Sequence, residues 1–276
     1  MDLNNKLKGF PTVYYTNLDS RTDRREYMET QFDRWGITDY HRVSSSKYLS
    51  TEEYKWAHLI LDDEDSVRIG SAGIANSITH IEILKNWLET TNDEYVVLME
   101  DDYDLSLIEY WNFDWEYVMN TIPETTDCLL LGYENRHEIS FHLQPHQHSH
   151  PFGPCMITRD LAKKILKLHY FDGKFKLSLR TCCPPIQKDY GLCDGFIPHA
   201  GKTYTLPLIT TNPDFGSDYD LNNLARPWFQ ACREAYYDWW QNEHHKYTLE
   251  DFFTYGKSID YLMTKKIGYE QKKLYQ

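Results

Sequence analysis

Several features are scarce in this chain of 276 residues, and each scarcity argues against a class of protein. There is no run of about 18 apolar residues, so we expect no membrane-spanning helix. The opening residues lack the apolar stretch of a signal peptide, which favours a cytoplasmic protein. Basic residues number 29 against 42 acidic ones, and the formal net charge of −13 argues against a nucleic-acid backbone as a partner.

Cysteine is also sparse, and its spacing fits neither a disulfide framework nor a zinc finger. The six cysteines form no CxxC pair, so we expect free thiols in a reducing compartment. Aromatic residues, in contrast, make up 15% of the chain and include 22 tyrosines. Such side chains suit stacking on a sugar or a base as well as core packing, and composition does not separate these uses.

Strand and helix patterns alternate along the first three quarters of the chain, which predicts an open α/β sheet with helices on both faces. Residues 12–17 predict a strand, and a capping-box-like pattern from Ser20 predicts a following helix that ends at Gly36. Apolar spacing predicts another helix over 71–90. The continuous apolar run at 95–99 is typical of a strand that is buried on both faces.

Further patterns complete the domain. Strands are predicted at 128–131, 155–158 and 203–209, and a helix over 160–168. The polar residues from 44 to 65 predict an insertion.

The pattern changes near residue 226. We therefore interpret residues 1–225 as one catalytic domain, and residues 226–276 as a helical C-terminal extension that packs on it.

Four carboxylates follow the buried strand within five positions, at Glu100, Asp101, Asp102 and Asp104. Side chains alternate along a strand, so Glu100 and Asp102 are expected on one face, with Asp104 beside them if the extended conformation continues. Crowded carboxylates repel one another unless protons or a cation neutralise them, and hard divalent ions prefer such oxygen ligands. The pattern favours a metal site, and a solvated acidic turn is the alternative.

Four segments resemble glycosyltransferase family 25, which includes lipooligosaccharide galactosyltransferases, enzymes of lipopolysaccharide biosynthesis, and procollagen galactosyltransferases. These segments are YTNLDSRTDRR at 15–25, SAGIANSITHIEILK at 71–85, VLMEDD at 97–102 and PCMITRDLAKK at 154–164. The second segment departs from the family pattern at Ala72, Asn76 and Thr79. No counterpart is identified after Arg226.

The resemblance implies a GT-A fold with an open, mostly parallel sheet, a UDP-sugar donor and a Mn²⁺ or Mg²⁺ ion. The implied ligands of the ion are Glu100 and Asp102, and the alternation described above adds Asp104 as a candidate ligand. The implied donor-site residues are Asn17, Asp19, Arg24, Arg25, His80 and Asp101. Each has an ordinary structural alternative: a turn for Asn17 and Asp19, a solvated helix face for the arginines, and a buried core position for His80.

An inverting transfer needs a carboxylate that accepts the proton of the acceptor hydroxyl. Asp194 matches the acidic position of the family and is the first candidate, with Asp189 and Asp218 in reserve. The five histidines between His137 and His150 have no zinc spacing and predict a polar loop on the acceptor side.

The resemblance therefore implies an enzyme, a metal-dependent hexosyltransferase. It would move galactose or glucose from a UDP-sugar to a hydroxyl of a glycan, a lipid-linked saccharide or a protein. Two alternatives stay open, a metal-dependent phosphoesterase and a non-catalytic sugar-binding protein on the same scaffold.

Overall fold

The structure is a computed structural model, and it describes residues 6–49, 71–135, 137–146, 153–177, 193–216, 226–255 and 262–267. Its strands are β1 (Val13–Asn17), β2 (Tyr40–Ser44), β3 (Tyr95–Glu100), β4 (Tyr103–Asp104), β5 (Cys128–Leu130), β6 (Glu138–Ser140), β7 (Gln144–Pro145), β8 (Cys155–Thr158), β9 (Tyr170–Phe171), β10 (Lys174–Phe175), β11 (Thr203–Thr205), β12 (Thr210–Thr211) and β13 (Thr264–Lys266). Its α-helices are α1 (Thr22–Trp35), α2 (Ser71–Thr90), α3 (Trp115–Thr121), α4 (Arg159–His169), α5 (Cys193–His199), α6 (Arg226–Asp238) and α7 (Leu249–Phe253).

Seven strands form the central sheet in the order β2-β1-β3-β8-β5-β11-β7. The pairings make β1, β2, β3, β5 and β11 run in one direction, with β8 and β7 opposed, so the sheet is mixed and mostly parallel. Thr16 of β1 lies opposite Glu100 of β3. The carboxyl ends of these two strands are therefore neighbours, at the edge where open α/β sheets place their ligands.

Alternating side chains of the sheet pack into two separate hydrophobic cores, one on each face of the sheet. In β3, Val97 and Met99 pack in a core that includes residues of α1, whereas Val96 and Leu98 pack in a core that includes residues of α2 and α4. Burying each such side chain contributes about 1.5–3 kcal/mol. This three-layer arrangement confirms the α/β fold with helices on both faces of the sheet.

The predicted start of α1 is wrong, and its predicted end is confirmed. The helix begins at Thr22, so Arg21 and not Ser20 occupies the N-cap, and the Arg21 side chain makes no capping hydrogen bond. The guanidinium of Arg21 instead pairs with Asp23. At the other end Gly36 adopts the left-handed conformation, with φ of 67°, that ends a helix most easily at glycine.

The strand predicted over residues 203–209 is shorter than expected and ends at Thr205. Pro207 has no N–H to donate, so the regular pairing stops before it. The N–H groups of Leu206 and Leu208 still bond to the carbonyls of Leu130 and Leu131, both at 2.8 Å. The chain then forms β12, which pairs with β4 in a separate two-stranded sheet.

Two glycines allow backbones to touch near the same edge of the sheet. A Cβ at Gly132 would lie 2.0 Å from the carbonyl oxygen of Ile209, and a Cβ at Gly153 would lie 2.0 Å from the carbonyl oxygen of Gly132. Neither contact tolerates a side chain, so the segments after β5, before β8 and before β12 pack backbone against backbone.

The described part of the C-terminal segment contains helices up to Phe253 and also a strand, which the sequence patterns do not predict. A π-helical turn at Trp239–Glu243 follows α6. Beyond α7, β13 pairs antiparallel with β6. Trp239, Trp240 and Phe252 belong to the same core as α1, so this segment completes one face of the sheet.

The predicted polar loop between His137 and His150 is wrong for its described part. Residues 138–145 include β6 and β7, and alternate apolar side chains there are buried. His142 is itself buried, with Nδ1 lying 2.9 Å from the carbonyl oxygen of Leu143. His148 and His150 lie outside the described residues.

Of the polar insertion predicted over 44–65, the structure describes only a 3₁₀ turn at Ser46–Tyr48 and its flanking residues, and residues 50–65 lie outside. Cys128, Cys155, Cys193 and Cys232 are all buried, and none of them forms a disulfide with another of the described cysteines. Cys182 and Cys183 lie outside the described residues. No helix in the described part of the chain is long and apolar enough to cross a membrane.

Candidate metal and donor site

The acidic strand end makes a turn instead of continuing in extended conformation. Strand β3 ends at Glu100, Asp101 and Asp102 form a turn, and β4 then pairs with β12. The expected alternation of Glu100 and Asp102 along one face is therefore wrong, because the strand stops between them. The backbone carbonyl of Asp102 accepts a hydrogen bond of 2.6 Å from the N–H of Asn212, which fixes the turn against the segment after β12.

Asp101 is buried at the centre of a polar network. Nη1 of Arg24 donates to one carboxylate oxygen at 2.6 Å, and Nδ2 of Asn17 donates to the other at 2.7 Å. Nη2 of Arg24 also donates to the carbonyl of Gly216 at 2.7 Å. Asn17 accepts a hydrogen bond of 2.7 Å from Arg42. Both oxygens of Asp101 are thus engaged by the protein, and Arg24 ties α1 to the turn.

Asp104 is buried as well, and its partners come largely from the C-terminal segment. Arg233 of α6 donates to Oδ2 at 2.9 Å, and the hydroxyl of Tyr237 donates to the same oxygen at 2.8 Å. The N–H of Ser106 donates to Oδ1 at 2.9 Å. The structure therefore gives the carboxylate of Asp104 protein partners on both of its oxygens.

Glu100 and Asp102 differ from these two carboxylates because both are only half-buried. Glu100 accepts a hydrogen bond of 2.7 Å from the neutral amide of Asn76. Asp102 lies 3.5 Å from Nη1 of Arg24, a longer contact than the one Arg24 makes with Asp101. Glu100 and Asp102 therefore keep part of their surface accessible, and carboxylate oxygens are ligands that suit a divalent cation.

Two predicted donor-site residues lie on the outer surface. Asp19 is exposed and pairs with Arg42, and hydrogen bonding to Arg42 is the main cause that lowers the pKa of Asp19. Arg25 pairs with Glu29 one turn along α1, at 2.9 Å. Arg24 faces the acidic turn, whereas Arg25 lies on the solvated face of α1.

His80 is fully buried on α2 and belongs to a compact group with Glu100 and Cys193. One potential ligand atom from each residue lies within 4.8 Å of the others. Burial lowers the pKa of His80 to about 4, so its imidazole is neutral at neutral pH. The amide of Asn76, which bonds to Glu100, also donates to Sγ of Cys193 at 3.3 Å. The N–H of Cys193 donates to the hydroxyl of Ser77 at 3.0 Å.

Sequence reasoning missed Glu134, a buried carboxylate near Asp102. Its Oε1 accepts hydrogen bonds from the hydroxyl of Thr211 at 2.7 Å and from the N–H of Thr211 at 3.3 Å. Burial raises the pKa of Glu134 to about 7, and the negative charge of Asp102 adds to the shift. The sequence offers one signal for Glu134: it follows the apolar strand β5 closely, just as Glu100 stands at the end of the apolar strand β3.

The side chains of the three predicted base candidates lie outside the part of the chain that the structure describes. Asp194 lies in α5 beside Cys193, but its side chain is outside the described part, and Asp189 and Asp218 are outside it entirely. Asn76 and Cys193 were also missed as site residues. The sequence gives no signal for their contact, because 117 positions separate the two residues.

No protein-family model and no curated protein sequence matches the chain. Among solved structures, it is similar to A197 from STIV, with 12% identity, a TM-score of 0.39, and coverage of 73% of this chain and 84% of that one. It is also similar to a glycosyltransferase involved in the glycosylation of the major capsid of PBCV-1. That similarity has 10% identity, a TM-score of 0.32, and coverage of 58% of this chain and 66% of that one.

Proposed function

We propose that this protein is a metal-dependent glycosyltransferase of the GT-A type, related to family 25. In this proposal it transfers a hexose from a UDP-sugar to a hydroxyl of a glycan, a lipid-linked saccharide or a protein, with inversion at the sugar carbon. The proposed ion is Mn²⁺ or Mg²⁺, and its proposed ligands are Glu100 and Asp102.

The observation that best supports the proposal is the meeting of β1 and β3 at their carboxyl ends. Asn17 ends β1, Glu100 ends β3, and Asp101 and Asp102 form the turn that follows, so polar and acidic groups converge where ligands of open α/β sheets bind. Arg24 and Arg233 engage Asp101 and Asp104. The half-buried carboxylates are therefore the two that a divalent ion and a donor diphosphate could approach.

Each residue of this edge has a role in the proposed transfer. A bound divalent ion would neutralise charge that develops on the leaving nucleoside diphosphate. Arg24 and Asn17 hold the turn that carries Asp102, because both bind Asp101 through its two oxygens. Such prior ordering matters because ligands held in place need no reorganisation during the reaction.

The proton of the acceptor hydroxyl needs a carboxylate. Asp194 is the proposed base, and Asp189 and Asp218 remain alternatives. Glu134 is a further candidate, because its carboxylate lies near the proposed metal ligand Asp102. Its pKa of about 7 also suits proton transfer at neutral pH.

The test is donor turnover with a matched pair of variants. Hydrolysis and thermal stabilisation are measured across UDP-, GDP- and CMP-sugars, with and without Mn²⁺ or Mg²⁺, for wild type, Asp102→Asn and Asp160→Asn. Asp160 is an exposed residue of α4 that pairs with Lys163, so it controls for the loss of one carboxylate charge. We expect one UDP-sugar to be turned over slowly and to stabilise the protein more with the ion than without it.

Asp102→Asn should lose turnover and the metal-dependent stabilisation, whereas Asp160→Asn should keep both. If no nucleotide sugar stabilises wild type and the two variants behave alike, the acidic turn is only structural. A phosphoesterase would instead hydrolyse simple phosphate esters, and a sugar-binding protein would bind glycans without any metal dependence.

A further inference from the structure

We propose that His80, Glu100 and Cys193 form a binding site for a thiophilic transition-metal ion of the Zn²⁺ type. This site shares Glu100 with the proposed sugar-transfer site but does not rest on that proposal, because it concerns which ion the protein binds in the absence of any nucleotide. The three residues belong to α2, the end of β3 and the start of α5, so the fold brings the donor atoms together from distant positions.

The geometry needs only a small adjustment to hold an ion. Zinc binds sulfur at about 2.3 Å and imidazole nitrogen at about 2.0–2.1 Å, so tetrahedral ligand atoms lie roughly 3.3–3.8 Å apart. The present atoms all lie within 4.8 Å of one another. A contraction of at most about 1–1.5 Å between these atoms would bring them to the distances of a tetrahedral zinc site.

The donor chemistry selects the class of ion. Thiolate and imidazole favour Zn²⁺ and related transition metals, whereas Mg²⁺ prefers oxygen ligands alone. His80 is fully buried, and a neutral imidazole offers its ring nitrogen lone pair as a ligand. Cys193 would bind as the thiolate, and its proton would pass to solvent on metal binding.

The surroundings support a built site. One amide group, that of Asn76, donates to both Glu100 and Cys193, and Ser77 accepts from the N–H of Cys193. Outer contacts of this kind orient metal ligands and raise affinity. His80 and Cys193 are buried while Glu100 is half-buried, so the site is open on the carboxylate side. Three protein ligands and one open position are typical of a metal site that also takes water or substrate.

The test uses metal alone, without nucleotide. Wild-type protein, stripped with a chelator, is titrated with Co²⁺ and followed by absorption, and Zn²⁺ affinity is then measured by competition. We expect one Co²⁺ per chain, a thiolate-to-metal charge-transfer band, and release of a proton on binding. The matched pair is Cys193→Ser and Cys232→Ser, since Cys232 is a buried free thiol of α6 in the other core.

Cys193→Ser should abolish the sulfur band and weaken Zn²⁺ binding by about 100-fold or more. Loss of a residue that only hydrogen-bonds to a metal ligand already lowers metal affinity by about 10–100-fold, and Cys193 would be a ligand itself. Cys232→Ser should retain the wild-type spectrum. Absence of a sulfur band in wild type, or its persistence in Cys193→Ser, would overturn the proposal.

Glu100→Gln gives an independent measurement should Cys193→Ser not fold. This variant keeps the band but loses an anionic ligand, so Zn²⁺ affinity should fall at least 10-fold. Unchanged affinity would refute the site. Because Mn²⁺-dependent nucleotide binding is measured separately, failure of the glycosyltransferase proposal and failure of this one remain distinguishable.

Discussion

Glu134→Gln should stabilise the protein at alkaline pH, because it removes a carboxylate that the fold forces to ionise in a buried place. Glutamine keeps the shape and an oxygen that can accept the two hydrogen bonds from Thr211. Burial raises the pKa of Glu134 from 4.5 to about 7. The wild-type protein therefore holds a proton at this site between those pH values, whereas the unfolded chain has released it.

The sign and size follow from proton linkage. A carboxylate with a raised pKa contributes most stability below pH 4.5 and loses it as the pH rises through 7. The shift of about 2.5 pKa units corresponds to about 3 kcal/mol at 1.36 kcal/mol per unit. Glutamine has no proton to release, so the variant and wild type should differ little near pH 4.5. At pH 8.5 the variant should be more stable by up to about 3 kcal/mol.

Urea unfolding at a series of pH values between 4.5 and 8.5, with a chelator present, measures this difference. Glu138→Gln is the control, because Glu138 is exposed and the same substitution there should change stability little at any pH. A difference between Glu134→Gln and wild type that stays constant across the series would refute the raised pKa. If Glu134 also accepts the transfer proton, the more stable variant should be less active.

Two further predictions test the packing behind the site. Arg24→Met leaves the buried Asp101 without its arginine and should cost about 3–5 kcal/mol of unfolding free energy in urea, whereas adding Asp101→Leu should recover most of it. If the double variant does not regain this free energy of unfolding, Arg24 stabilises the fold through contacts other than Asp101. Gly132→Ala places a methyl group 2.0 Å from the carbonyl of Ile209 and should cost about 3 kcal/mol or more, so near-native stability would contradict the close backbone contact.

The main elements were predictable because each buries a periodic apolar face. Met28, Phe32 and Trp35 are all buried on α1, as their helical spacing predicts. The run at 95–99 is a strand with a core on each face, as its continuous apolar character predicts. Such patterns are local in sequence, so one chain is enough to show them.

The errors have two causes, one local in the sequence and one that depends on a partner far along the chain. The strand predicted to reach residue 209 stops at Thr205, because regular pairing with β5 cannot continue through Pro207. Strand β13 exists because it pairs with β6, which no spacing near residue 264 reveals.

The candidate site shows the same division. The carboxylates were found from their density after an apolar run. Their different partners were not, since Arg233 contacts Asp104 across 129 positions and Asn76 contacts Cys193 across 117.

The two arginines at the acidic turn are better explained by positioning than by stability. A buried ion pair repays its desolvation penalty poorly, and an apolar pair of similar volume is often as stable. Arg24, however, bonds to Asp101 and also to the carbonyl of Gly216, and Arg233 bonds to Asp104 from α6. These bonds fix the turn between β3 and β4 from two separate directions. The stable double variant of Arg24 and Asp101 should therefore bind metal and nucleotide more weakly, because Asp102 would lose the bonds that hold its turn in place.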